Sequence, residues 1–146
     1  MATARKSRTI AAPPERVWEV VGDPHHFPRW WPGVVRMEGV GPTGFTQVFN
    51  TKKGRAVRVD FRVLETEAER LHSWEQEIAG TPFERVLTES VTNVTLEPVD
   101  SGTRVTVEQQ QKLKGYSRTG GLMLRRATNK RLDEALATLE QLLVET

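Results

Sequence analysis

Apolar and polar residues alternate along the middle of the chain, from about residue 34 to residue 113. In the segment VRVDFRV, residues 57–63, valines and a phenylalanine occupy every second position, and charged residues fill the positions between them. A period of two is typical of strands that bury one face and expose the other. Turn-forming stretches such as GPTG at 41–44 and DSG at 100–102 separate the runs. The pattern predicts an antiparallel meander of about six strands, preceded by a short strand over residues 4–11.

A helical spacing of apolar residues marks the segment APPERVWEVVGD, residues 12–23. The positions at i, i+3, i+4 and i+7 are Pro14, Val17, Trp18 and Val21. The two prolines suit a first helical turn, where a missing N–H costs nothing. Asp23 followed by Pro24 is typical of an N-cap that starts a second, very short helix. Two short helices are therefore predicted between the first strand and the meander.

The C-terminal segment, about residues 118–145, has an apolar stripe at the helical period. The members of the stripe are Leu124, Thr128, Leu132, Ala135, Leu136, Leu139, Leu142 and Leu143. This pattern predicts one long helix and an α+β fold. The basic pairs at 125–126 and 130–131 are interpreted as a solvated flank of that helix.

The composition fits one globular domain over residues 1–146, with 37% hydrophobic and 27% charged residues. No apolar run approaches the roughly 20 residues that cross a bilayer. The basic N-terminus lacks the apolar stretch of a signal peptide, so we expect a cytoplasmic protein without a membrane span. The net charge of +2 argues against a broad nucleic-acid-binding surface. The chain has no cysteine, which excludes disulfides and thiolate chemistry. We expect a monomer or a homodimer.

Three sequence motifs that are known from catalytic or binding sites lack the structural surroundings that such sites need. Gly39–Gly44 matches G-x-G-x-x-G, but a turn and a strand follow it, whereas a dinucleotide site needs a helix to begin there. His25 and His26 are adjacent, and adjacent residues on a helix point about 100° apart, so they share a metal ion poorly. No serine lies in a nucleophile elbow. We expect neither a metal nor a cofactor.

The predicted buried face of the sheet carries more polar residues than a dry core needs. Its polar members are His72, Gln76, Thr88, Ser90, Thr92, Gln109 and Gln111. Burying such groups without partners costs roughly 1–3 kcal/mol each. A cavity that holds water or a ligand supplies partners, and this favours an internal binding site. A one-residue error in register would instead turn the same side chains out to solvent.

The order of elements, together with PPERVWEVVGDPHHFPRWW and Pro32 after it, resembles the START/Bet v1-like helix-grip superfamily. Its polyketide cyclase/dehydrase and lipid-transport branch is the most similar. The positions that carry the resemblance are Pro14, Val17, Trp18, Asp23, Pro24, Trp30 and Pro32. The resemblance implies a curved antiparallel sheet of about six to seven strands around the long C-terminal helix, and a cavity for an apolar ligand. Members of the branch differ in function, so the resemblance carries over no particular chemistry.

The candidate ligand-binding residues combine aromatic wall positions, polar positions of the inward face and the N-terminal half of the long helix. They are Phe27, Trp31, Phe61, His72, Trp74, Gln76, Phe83, Thr88, Ser90, Gln109, Gln111, Leu124 and Thr128. No catalytic residue is assigned, apart from His72 if the protein is an enzyme.

Three functions remain open from the sequence. The leading hypothesis is the binding of a small hydrophobic molecule, such as a lipid, polyketide, isoprenoid or aromatic compound, in an internal cavity. The second is a polyketide cyclase, aromatase or dehydratase in which His72 transfers a proton. The third is a protein-interaction module that uses the basic helix face at 125–131 or an exposed Trp31.

Overall fold

A seven-stranded antiparallel sheet and three helices make up the described part of the chain, residues 2–115 and 118–144 of a computed structural model. The strands are β1 (Ala2–Ile10), β2 (Val34–Glu38), β3 (Gly44–Asn50), β4 (Ala56–Glu67), β5 (Leu71–Gln76), β6 (Leu87–Val99) and β7 (Gly102–Leu113). The helices are α1 (Pro14–Val21), α2 (Phe27–Trp30) and α3 (Arg118–Val144), with short 3-10 helices at Pro24–His26 and Pro82–Arg85.

The sheet order is β1-β7-β6-β5-β4-β3-β2, with every neighbouring pair antiparallel. Strands β2 to β7 therefore form the predicted meander, and β1 closes its far edge against β7. With the long C-terminal helix packed against β1 and α2, this is the predicted α+β helix-grip architecture, and the fold prediction is confirmed.

The corner between α1 and α2 is built by short-range contacts. Pro14 is the first residue of α1, and the side chain of Asp23 accepts a hydrogen bond of 3.0 Å from the backbone N–H of His25. Gly22, between these points, lies under the ring of Trp18; an added Cβ would be 2.4 Å from Trp18 Cε2. The corner turns α2 so that Phe27 and Trp30 are buried.

The helix α3 buries its C-terminal half more deeply than its N-terminal half. Leu132, Ala135, Leu136 and Leu139 are at most 1% exposed and join the hydrophobic core with residues of β1, α1 and β7. Nearer its N-terminal end, Leu122 and Met123 are exposed. The predicted apolar stripe is therefore confirmed over the C-terminal turns.

Two irregularities interrupt the strands that form the site. The register of β4 against β5 shifts between Val63 and Glu65, and the register of β6 against β7 shifts between Leu87 and Glu89. A β-bulge of this kind bends its strand and increases the local twist. The second shift affects which residues of β6 were predicted to face inward. It falls inside a stretch whose alternation was taken to be unbroken.

Candidate ligand cavity

A cavity of about 270 Å³ lies between the sheet and α3. Strands β3 to β7 all contribute to its wall, together with Trp31 after α2, Phe83 from a 3-10 helix and Arg131 from α3. The lining residues are Trp31, Gln47, Phe49, Asn50, Thr51, Val57, Val59, Phe61, Trp74, Gln76, Phe83, Ser90, Gln109, Gln111 and Arg131. Strands β3 and β7 are separated by three others in the sheet, so they can face one cavity only because the sheet is curved.

Aromatic rings form most of the apolar wall. Five of the lining side chains are aromatic, and Trp31 and Trp74 meet edge to face with ring centroids 5.9 Å apart. Phe27 lies behind this pair, 6.0 Å from the Trp31 ring and 5.2 Å from the Trp74 ring. Edge-to-face packing holds rings in defined orientations. The aromatic wall is thus supported from behind by the core.

Two glutamines of β7 are held by hydrogen bonds at the cavity wall. Gln109 Nε2 donates to Thr92 Oγ1 at 3.0 Å, and Thr128 Oγ1 donates to Gln111 Oε1 at 3.1 Å. Each bond uses one end of the amide, so the other end remains for a different partner.

Two buried amide atoms have no hydrogen-bond partner within the described residues: Gln47 Nε2 and Gln109 Oε1. Gln47 is 1% exposed and Gln109 is 8% exposed, yet both side chains line the cavity. Polar groups buried in proteins are normally paired, because an unpaired one loses its hydrogen bonds to water without replacement. Gln47 and Gln109 therefore line the cavity while one end of each amide is buried and unpaired among the described residues.

The rim of the cavity is polar and includes a cation. Asn50, Thr51 and Arg131 are exposed residues that also line the cavity. Within the part of the chain that the structure describes, no carboxylate forms an ion pair with Arg131. Arg131 is also the single ionisable side chain among the described lining residues.

His72 is buried in the core and does not line the cavity. It is 2% exposed, its Nδ1 donates to the Val21 carbonyl at 3.1 Å, and its ring centroid lies 5.1 Å from that of Trp74. Burial lowers the pKa of His72 below its usual 6.5, although the hydrogen bond to Val21 opposes this shift. The imidazole is therefore neutral at physiological pH and supports the contact between β5 and α1.

Eight of the thirteen candidate residues line the cavity in the structure. They are Trp31, Phe61, Trp74, Gln76, Phe83, Ser90, Gln109 and Gln111. Phe27 and His72 are instead core residues, and Thr128 is buried behind Gln111. Leu124 is half-buried on α3 and lies outside the lining.

Thr88 differs most from its prediction. It is exposed, and its hydroxyl donates to the Lys112 carbonyl at 3.3 Å. The cause is the register shift between Leu87 and Glu89, which breaks the alternation of β6 at this residue. From Ser90 onward the alternation holds, and Ser90, Thr92 and Val94 are buried as expected.

The sequence interpretation missed seven lining residues: Gln47, Phe49, Asn50, Thr51, Val57, Val59 and Arg131. Four of these, Gln47, Phe49, Val57 and Val59, had a usable signal. Val57 and Val59 share the predicted face of Phe61, and in FTQVFN the residues Phe45, Gln47 and Phe49 alternate in the same way. Arg131 had no such signal, because a basic pair on a helix is typical of a solvated flank.

The described residues contain no group of three or more His, Cys, Asp or Glu side chains placed to hold a metal ion.

The Asp23 carboxylate contacts His25 Nδ1 at 2.8 Å as well as the His25 backbone. Partial burial raises the pKa of Asp23, but the hydrogen bonds from His25 and the charges of His25 and His26 outweigh it, and the pKa of Asp23 lies below its usual 3.8. Among the described helices, none combines the length and the apolar character needed to cross a bilayer.

A curved antiparallel sheet around a long C-terminal helix, with a cavity between them, defines a ligand-cavity domain of the helix-grip class. The chain belongs to the polyketide cyclase / dehydrase and lipid transport family, whose model matches residues 1–144. The family resemblance inferred from the sequence is thereby confirmed. Membership supports ligand binding or polyketide cyclisation as the general function, without choosing a ligand or a reaction.

Solved structures show the same fold at low sequence identity. A START superfamily protein from Mycobacterium smegmatis has a TM-score of 0.79 at 14% identity and covers 99% of each chain. A protein from Chromobacterium violaceum has a TM-score of 0.77 at 20% identity, covering 97% of this chain and 96% of its own. The di-domain ARO/CYC protein StfQ from the steffimycin biosynthetic pathway has a TM-score of 0.78 at 16% identity, covering 99% of this chain and 51% of that one. No curated protein matches the chain at a significant level.

Proposed function

We propose that the protein binds a compact, mainly aromatic molecule of about two fused rings inside the cavity. The observation that carries this proposal is the aromatic-walled cavity of about 270 Å³ with unpaired amide groups in its wall. An apolar protein cavity of about 150 Å³ holds benzene, so a cavity nearly twice as large suits a two-ring body.

The cavity wall supports binding driven by burial, with a few polar groups to orient the ligand. Removing apolar surface from water stabilises a complex by about 25 cal/mol per Å², part of which is offset by the lost freedom of the ligand. The remainder is consistent with micromolar affinity for a two-ring compound. Gln47 and Gln109 line the cavity with one amide end each unpaired, and a rotation of either side chain would bring that end to an oxygen or hydroxyl group of the ligand.

The function is tested by titrating the protein with 2-naphthol in a calorimeter. We expect micromolar affinity for the wild type. Ser90→Phe places a ring in the cavity and should weaken binding at least tenfold. Thr95→Phe adds the same ring on the exposed face of the same strand and should bind as the wild type does. Circular dichroism of both variants checks that they fold.

Two results would count against the proposal. If the wild type does not bind 2-naphthol or related two-ring compounds, the cavity does not serve this ligand class. If Ser90→Phe binds as well as Thr95→Phe does, the ligand occupies a different place. Val59→Phe provides a second variant that fills the cavity should Ser90→Phe fail to fold, because Val59 also lines it.

Family membership leaves polyketide cyclisation open, but the particular residues that the other two hypotheses named lie outside the cavity lining or carry no evidence of a partner. The cyclase hypothesis relied on His72, which is buried in the core and hydrogen-bonded to α1, away from the cavity lining. The interaction hypothesis relied on the basic helix face at 125–131 or on an exposed Trp31; Trp31 is 5% exposed, and the exposure of the basic residues alone identifies no partner.

A further inference from the structure

The charge at the cavity rim is unbalanced. Arg131 lines the cavity, and none of the described lining residues is an aspartate or a glutamate. On α3, Asp133 pairs with Lys6 at 3.4 Å and Glu140 pairs with Arg8 at 3.1 Å, while Glu134, three residues after Arg131, forms no ion pair with it. The guanidinium of Arg131 thus supplies a positive charge for which the described protein residues provide no partner.

A second donor comes from the same side of the cavity. Thr128 and Arg131 are three residues apart on α3 and so share one face of the helix. Thr128 donates to Gln111 Oε1 at 3.1 Å, which fixes the carbonyl end of the Gln111 amide towards α3 and leaves its Nε2 group as the end that can donate elsewhere. Both Gln111 and Arg131 line the cavity. A neutral amide N–H and a guanidinium therefore approach the ligand space together.

The deeper wall also favours a ligand rich in acceptors. Gln47 Nε2, on β3, is a buried donor without a hydrogen-bond partner among the described residues. Gln47 belongs to a different wall of the cavity from Gln111, because three strands separate β3 from β7. Gln47, Gln111 and Arg131 thus bring N–H groups to two walls of the cavity.

We propose that the ligand is an aromatic carboxylate whose carboxylate group is bound by Arg131 and Gln111 at the rim, while its rings fill the aromatic part of the cavity. This inference rests on the proposed function, since it assumes that the cavity binds a two-ring compound. A carboxylate accepts hydrogen bonds at both oxygens, and charge-assisted bonds to arginine are stronger than neutral ones. The exposure of Arg131 limits its effect through solvent screening.

The experiment compares 2-naphthoate with 2-naphthamide, two probes of nearly the same shape that differ in charge. Binding is measured by calorimetry at neutral pH and at low ionic strength, about 0.05 M, where screening is weak. We expect the wild type to bind 2-naphthoate about fivefold more tightly than 2-naphthamide. Arg131→Met should remove this preference while changing 2-naphthamide affinity less than about twofold.

Lys130→Met is the matched control, because Lys130 is exposed on the same helix turn and lies outside the cavity lining. It should keep the preference for 2-naphthoate. The inference is overturned if the wild type binds both probes equally, if Arg131→Met retains the preference, or if Lys130→Met loses it to the same extent. In each of these cases binding of 2-naphthamide would leave the proposed function standing. If neither probe binds to the wild type, the proposed function fails and the inference fails with it.

Discussion

Replacing Gln47 by leucine should make the protein more stable. Gln47 is 1% exposed, and its Nε2 has no hydrogen-bond partner within the described residues. A buried donor without a partner costs about 1–3 kcal/mol, and leucine removes the donor at a similar side-chain volume. Gln47 lies on the same face of β3 as Phe45 and Phe49, so the leucine would meet apolar neighbours. We expect the free energy of unfolding to rise by about 1 kcal/mol, which corresponds to about 3 °C in Tm for a chain of this length.

The stability is measured by urea denaturation, followed by the fluorescence of the four tryptophans. Gln110→Leu is the matched control. Gln110 is half-buried on the outward face of β7, and its Nε2 donates to Glu108 Oε1 at 2.9 Å. Its replacement removes a satisfied hydrogen bond and should leave the stability unchanged or lower it by less than about 0.5 kcal/mol.

The same variant should lose ligand affinity while it gains stability. Gln47→Leu removes a donor of a side chain that lines the cavity, so the affinity of the variant for 2-naphthol should fall several-fold if Nε2 contacts a ligand oxygen.

A drop in the free energy of unfolding of 1 kcal/mol or more on Gln47→Leu would refute the reasoning about stability. It would mean that the amide makes favourable interactions in the folded protein and is not an unpaired group.

Two further predictions concern the corner between α1 and α2. Because the pKa of His72 is below 6.5 in the folded state, the unfolded chain binds more protons at acid pH, and the free energy of unfolding should fall as the pH drops from 6.5 towards the folded pKa. His72→Asn can still donate to Val21 and should reduce this loss in urea denaturation between pH 8 and about pH 5.5; an unchanged pH dependence would contradict it. Asp23→Ala should cost about 1 kcal/mol by removing the N-cap of the following 3-10 helix. Asp23→Asn should keep most of that stability, and equal thermal shifts for the two variants would show that capping is not the cause.

Alternation along the strands was sufficient to predict much of the cavity wall. In β6 and β7 the ladder is regular from Glu89 to Val99, so every second residue faces inward, and Ser90, Gln109 and Gln111 line the cavity as predicted. Thr88 lies one residue before this regular stretch, at the bulge. A bulge depends on how two strands pair, so the alternation within one strand could not reveal it.

The features that the sequence did not reveal for His72 and Arg131 involve contacts between elements: His72 lies outside the cavity lining, and Arg131 is exposed as expected but also lines the rim. His72 shares its strand face with Trp74 and Gln76, but α1 covers the His72 end of that face through the Val21 carbonyl. The face of a strand is a local property, whereas the element that covers each part of it is set by tertiary packing. Arg131 reaches the rim because of how α3 is placed over the sheet, and a helical repeat carries no information on that placement.

The unpaired amides connect the stability of the fold with the choice of ligand. Gln47 Nε2 and Gln109 Oε1 cost free energy in the unliganded protein, because neither has a partner in the described chain. A purely apolar ligand would fill the cavity and keep both atoms unpaired. A ligand with an oxygen facing β3 and a hydroxyl facing β7 would form both hydrogen bonds and remove both costs. For two ligands of equal size, the oxygen-bearing one should therefore bind more tightly and stabilise the protein more, although it is better solvated in water. We therefore expect the cavity to prefer oxygenated aromatic molecules over hydrocarbons of the same shape, as calorimetry with 2-naphthol and naphthalene would measure.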